Sequence, residues 1–218
     1  TGSVGANYTR VDTDFGDGDA YGVDGEVIFS TGGTWSAIVE GAYSDSDDAD
    51  GVLSAEGHLI TSGADNAWGG FAGISDSDGN SVYYVGGEYA QYFSSTTLAL
   101  NLSYANADDA DIDAWGLGAA YRIFASDNLR FDLGASFARA DAGGADGDLT
   151  SFGAGVEYRF DNSPFSVGAA YSRVGGDLPD ADVIGVTLRW NFGDATLKEA
   201  DRKGKTFTTL GNALSTLN

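Results

Sequence analysis

The chain has no cysteine, no methionine, only 2 prolines and a single histidine in 218 residues. Without cysteine there is neither a disulfide framework nor thiolate chemistry. No run approaches the roughly 18 unbroken apolar residues of a membrane-spanning helix. Positive charge is scarce as well: 11 Lys and Arg stand against 33 Asp and Glu, for a formal net charge of -22. Nucleic-acid binding needs a basic surface, so no nucleic-acid partner is expected. The few cations are unevenly placed. Up to Phe192 there are 7 arginines, no lysine and 30 acids, whereas the last 26 residues hold 3 lysines, 1 arginine and 3 acids. That step from an acidic body to a faintly basic tail is the only domain-like seam in the chain. The sequence also opens without an initiator methionine or an apolar leader, which reads as a mature, processed product.

What the chain does have is glycine, 33 residues of it, and alternation. Twelve stretches between Ser3 and Phe192 put an apolar residue or glycine at every second position. In Thr97–Tyr104, for example, Leu98, Leu100 and Leu102 share one face while Thr97, Ala99, Asn101 and Ser103 share the other. Period-2 alternation marks strands with one oily face. Strands are expected at 3–11, 20–30, 34–44, 52–61, 67–75, 81–93, 96–106, 112–124, 129–140, 149–160, 165–174 and 183–192. Long acidic connections such as DTDFGDGD, DSDDADG and DAGGADGD alternate with tight turns such as TGG and SS. An even strand count with long–short connections is the pattern of a transmembrane β-barrel whose long loops face outside and whose termini are periplasmic.

The apolar face supports a membrane setting. It reads Trp35-Ala37-Val39-Gly41-Tyr43 on one strand and Ile184-Val186-Leu188-Trp190-Phe192 on the last. Aromatic residues gather at strand ends and aliphatic or small ones at the middle, as in two interfacial girdles around an apolar band. A soluble β-sandwich would also alternate, but its outer face would be charged and its inner face bulky. Here the rings lie on the apolar face, and the opposite face is rich in Gly, Ser, Ala and Asn.

The final stretch VIGVTLRWNF resembles the β-signal of the Gram-negative outer-membrane β-barrel superfamily, which ends on an aromatic residue, here Phe192. In pattern, residues 3–192 resemble the small porin-like members of that superfamily. The resemblance implies an all-β fold, a closed antiparallel transmembrane β-barrel of about 12 strands, placed in an outer membrane among lipid and lipopolysaccharide. Members usually stop at that aromatic residue, but this chain continues for 26 more. The expected division is therefore a barrel over 1–192 and a C-terminal periplasmic tail over 193–218. The tail either plugs the barrel or docks on a neighbouring subunit or periplasmic partner.

Strand parity sorts the charges. Asp24, Glu26, Glu40, Glu56, His58 and Glu88 are expected to line one wall of the lumen, and Arg122, Arg130, Arg159 and Arg189 the other, with Asp132 and Glu157 also inward. Opposed walls of this kind set up a transverse field in a narrow pore, and diffusion porins resemble this arrangement. Alternatively the charges pair across a closed lumen and seal it, since a buried charge left alone is costly. Lumen Phe71, Tyr84 and Tyr92 narrow the passage further. Arg10, Arg139 and Arg173 have the opposite parity, near the outer rim, where guanidinium groups suit lipopolysaccharide phosphates or else nearby loop acids. The Asp- and Gly-rich loops suggest loop-bound Ca2+, although none has the full spacing of a calcium loop, and solvated acids are the plainer reading. No catalytic residues and no other metal or cofactor are expected, because the only histidine sits on the lumen wall away from any nucleophile.

In the tail a short helix is expected over Ala195–Lys203. Lys198, Lys203 and Lys205 are expected to meet acids such as Glu26 or a partner's carboxylates, and Phe207, Leu210, Leu214 and Leu217 to form a covered apolar strip. The functional expectation is a narrow porin-like passage for small polar solutes or cations. The other class considered is a structural or assembly protein working through its tail.

Overall fold

The computed structural model describes residues 1–218 except 31–32, 47–48, 108–111, 144, 178 and 208–218. Twelve strands run in chain order: β1 (Gly2–Thr13), β2 (Gly16–Ser30), β3 (Trp35–Ser46), β4 (Ala49–Ser62), β5 (Asn66–Ser77), β6 (Asn80–Tyr92), β7 (Thr96–Ala107), β8 (Ile112–Ser126), β9 (Leu129–Ala142), β10 (Ala145–Arg159), β11 (Phe165–Gly176) and β12 (Ala181–Phe192). Each pairs antiparallel with its chain neighbours, and β12 closes on β1 from Gly2↔Phe192 to Thr13↔Ala181. Closure leaves no strand edge unpaired, the condition a sheet must meet to span lipid. No helix among the described residues is long and apolar enough to cross a membrane, and a barrel crosses with its strands.

The alternation sets the two faces. On β7, Leu100 and Leu102 are 40% and 57% exposed on the outside, while Thr97 is fully buried. The outer surface carries Phe29, Trp35, Trp68, Phe131 and Trp190 near the end where the chain starts, and Tyr21, Tyr43, Tyr83, Trp115 and Phe152 near the other. Between these girdles lie Val39, Leu59, Val85, Leu117 and Leu188, an apolar band open to the surroundings. Exposing so much contiguous apolar surface is unfavourable in water and favourable in hydrocarbon. The chain therefore folds as a membrane barrel.

The structure differs from the sequence expectation at the hairpins of the far end. DTDFGDGD was expected to be a loop, but its acids continue the ladder, with Asp12↔Asp17 and Arg10↔Asp19 paired and only Asp14 and Phe15 left at the turn. The reason is electrostatic. Arg10 on β1 bridges Asp17 and Asp19, so two like charges on one face of β2 share a cation from across the ladder. Arg139 does the same with Asp146 and Asp148, and Arg173 with Asp180 and Asp182. At DSDG the turn is only Asp78 and Gly79, both with positive φ (51 and 78), the twist that joins two strands most tightly.

Candidate functional site

Two belts line the lumen near the end that holds the start of β1 and the finish of β12. At the mouth lie Ile28, Ile38, Ile60, Ala67, Ala90 and Tyr92. Two residues further along the same strands, on the same inward parity, lie Glu26, Glu40, His58 and Glu88. Of the twelve inward groups expected from the sequence, eleven are buried: Asp24, Glu26, Glu40, Glu56, His58 and Glu88 on β2, β3, β4 and β6, and Arg122, Arg130, Asp132, Arg159 and Arg189 on β8, β9, β10 and β12; Glu157 on β10 is half-buried. Toward the far end the lumen-facing groups are small and only partly covered, including Asn7, Thr9, Ser44 and Ser103. The lumen is thus lined more tightly at the terminal mouth than at the other.

The charges are cross-linked, not left facing an open channel. Arg189 donates to Asp24 at 2.6 Å and to Ser3 at 3.0 Å, and also approaches Glu26. Arg130 bridges Asp132 and Glu157 at 2.9 and 3.1 Å, and Ser166 donates to Glu157. Arg159 donates its Nε to the Ser163 carbonyl. On the acid side, His58 sits among three carboxylates. Its Nε2 lies 2.7 Å from Glu56 and 2.9 Å from Glu40, and its Nδ1 lies 3.1 Å from Glu88. Phe71 packs beside His58 and Tyr84 beside Phe71, at ring-centroid distances of 5.7 and 6.5 Å. The simple transverse field expected from parity is therefore largely neutralised by pairing, as the cost of burying unpaired charges requires.

The C-terminal segment completes the pairing. Helix α1 (Leu197–Arg202) is shorter than the expected Ala195–Lys203, because Thr196 caps it by accepting from the Glu199 N–H at 3.1 Å. Glu199 in turn accepts from the Ala195 N–H at 2.8 Å, a close relative of the capping box. Leu197 and Ala200 are buried against the mouth, and the Arg202 guanidinium lies 4.8 Å above the Tyr92 ring. Asp201 turns inward, fully buried, and accepts from Arg122 at 2.8 Å and Thr97 at 2.7 Å. The chain then bends at Gly204, whose φ is 121, close against Ile60 and Ile38. That backbone conformation favours glycine, and a Cβ there would lie 2.9 Å from Ile60 Cδ1, which would have to shift.

Beyond that bend a single 3-10 turn, α2 (Lys205–Phe207), enters the lumen. The Lys205 ammonium meets Glu26 at 3.0 Å, Ser3 at 2.9 Å and Asn191 at 3.0 Å, which occupies its three donors. Phe207 joins the isoleucine belt as part of one buried cluster. The segment thus offers Asp201 to the arginine wall and Lys205 to the acid wall.

The tail and rim cations find the following partners. Lys198 meets a barrel acid, Asp127 of the β8–β9 turn (3.5 Å), outside the lumen. Lys203 stays on the tail with Glu199 and Asp194, because its i,i+4 partner is nearer than any barrel acid. Leu210, Leu214 and Leu217 lie outside the described residues. At the far rim Arg10, Arg139 and Arg173 do point outward, but each already holds two aspartates, so each set carries net negative charge. The same pairing engages Asp17 and Asp146 of the calcium-like stretches. Asp201 is the functional residue that parity did not find.

No protein-family model matches the chain, and no curated protein matches it. Solved structures do match in fold. The COG4313 outer membrane channel from Pseudomonas putida superposes with a TM-score of 0.67 at 9% identity, over 87% of this chain and 94% of that one. The NanC porin gives 0.65 at 8%, over 88% and 100%. A KdgM porin in complex with disordered oligogalacturonate gives 0.64 at 7%, over 88% and 99%. The chain shares the fold of small porin-like outer-membrane barrels.

Proposed function

We propose that the chain is a narrow outer-membrane passage for small polar solutes or cations, with its terminal mouth on the periplasmic side and stopped by its own C-terminal segment. The observation that carries this reading is the insertion of Asp201 and Lys205 between walls of opposite charge, with Phe207 seated under Ile28, Ile38 and Ile60. A solid, filled barrel would need no such stopper. A segment held mainly by polar contacts can be displaced without unfolding the strands, because each contact exchanges for one with water.

Selectivity follows from the charge left over. The inward acids of β2 to β6 outnumber the cations near them, and the barrel strands as a whole are strongly acidic. A low-dielectric lumen of that sign concentrates cations and repels anions. The KdgM neighbour was solved with oligogalacturonate. The acid belt here favours solutes of the opposite charge. At the outer rim, contact with lipopolysaccharide would run through divalent cations shared with the Arg10, Arg139 and Arg173 acid sets, since those guanidinium groups are already engaged.

Reversal potentials in a potassium chloride gradient across a planar bilayer test the reading. Preferential passage of potassium is expected. Preference for chloride overturns it.

A further inference from the structure

We propose that Glu40, Glu56 and His58 form a site for one divalent transition-metal ion in the lumen wall, with Glu88 orienting the imidazole. The three residues come from β3 and β4, whose antiparallel register brings them to one inward patch: Glu40 pairs with Glu56, and Ile38 with His58. One ligand atom from each lies within 4.8 Å of the other two. All are withdrawn from solvent, with side-chain exposures of 1%, 2% and 0%.

The direction of each contact matters more than the grouping. His58 Nε2 faces both Glu40 (2.9 Å) and Glu56 (2.7 Å), so a single ring nitrogen is aimed between two carboxylates. One N–H cannot be donated fully to two acceptors at once, whereas a cation between the three atoms satisfies all of them. The opposite nitrogen, Nδ1, lies 3.1 Å from Glu88 on β6. A carboxylate taking one ring N–H while the other nitrogen faces the ligand position is the support found behind metal-bound histidines. With the imidazole neutral, as a metal ligand must be, the three carboxylates leave these four side chains three negative charges in excess, and a divalent ion lowers that to one. Phe71 covers the ring from the adjacent strand and limits water there.

The donor set also selects the metal class. Two carboxylate oxygens and one imidazole nitrogen suit zinc, cobalt or manganese better than calcium or magnesium, which prefer oxygen alone. Bonds of about 2.0–2.2 Å to a tetrahedral ion place ligand atoms about 3.4 Å apart. The Nε2 contacts would open by roughly half an ångström, well within side-chain freedom, and three protein ligands leave a position for water.

The test uses the full chain refolded in detergent, freed of metal with a chelator and titrated with Co2+ in excess Ca2+, which occupies the acidic hairpins. Because the chain holds a single histidine, any paramagnetically shifted imidazole resonance belongs to His58. One equivalent of Co2+ with such a resonance is expected. Glu88→Gln should weaken Co2+ binding about 10–100-fold with the heat-modifiable barrel band unchanged, and His58→Gln should abolish it. Absence of the shifted resonance in the unaltered chain overturns the site, whatever the variants do. So does complete displacement by Ca2+, or unchanged binding in Glu88→Gln. None of these readouts involves conductance, so failure here leaves the passage reading standing.

Discussion

Asp201 is the residue on which the closed mouth depends most. Its carboxylate is fully buried and holds Arg122 and Thr97 from two different strands. A hydrogen bond to a charged group contributes roughly 1.5–3 kcal/mol. Asp201→Asn should therefore raise the population of the released segment by about tenfold to a hundredfold. Trypsin cleavage after Lys205, which is buried while the segment is seated, reads that population directly. An unchanged cleavage rate would mean that Asp201 does not hold the segment. Parity along the strands was enough to find the twelve inward groups, because alternation fixes the face of every strand residue. It could not find Asp201, which lies 79 positions from Arg122 in a segment with no period-2 pattern.

At the scale of elements, the strands were legible and their ends were not. Hydrophobic alternation fades where both faces become polar, so the acidic stretches looked like loops. The cross-strand pairing of Arg10, Arg139 and Arg173 with aspartates carries the ladder into them. Helix α1 shows how little a six-residue helix owes to propensity. It rests on the Thr196 cap and on two buried apolar side chains. Thr196→Ala should cost about 1 kcal/mol and speed hydrogen exchange of the α1 amides several-fold, with the barrel amides unaffected. The cap also has a pH dependence. The Lys203 ammonium and then the Ala195 N–H hold the Glu199 carboxyl below the ordinary carboxylate range. A depressed carboxyl stabilises at neutral pH, and that contribution is lost as pH falls through the ordinary range and below it. Acid should thus lower the protection of the α1 amides, relative to their intrinsic exchange rates, more in the unaltered chain than in Glu199→Gln, and an equal loss of protection in both would show that Glu199 does not hold the cap.

At the scale of the whole molecule, the barrel follows from twelve alternating stretches closed end to end, and its setting from the two aromatic girdles. The inserted C-terminal segment was visible in the sequence only as a change of charge at Phe192 and as the confinement of every lysine to the last 26 residues. Whether those lysines met this barrel or a partner was undecidable from spacing, since both offer acids. In the fold, Asp201, Lys205 and Phe207 meet lumen groups of their own barrel. Closure by that segment is tested by single-channel conductance in planar bilayers for the full chain and for one ending at Phe192, with heat-modifiability confirming that both are folded. Several-fold larger conductance and longer open times are expected without the segment. Equal conductance from the two chains would contradict closure.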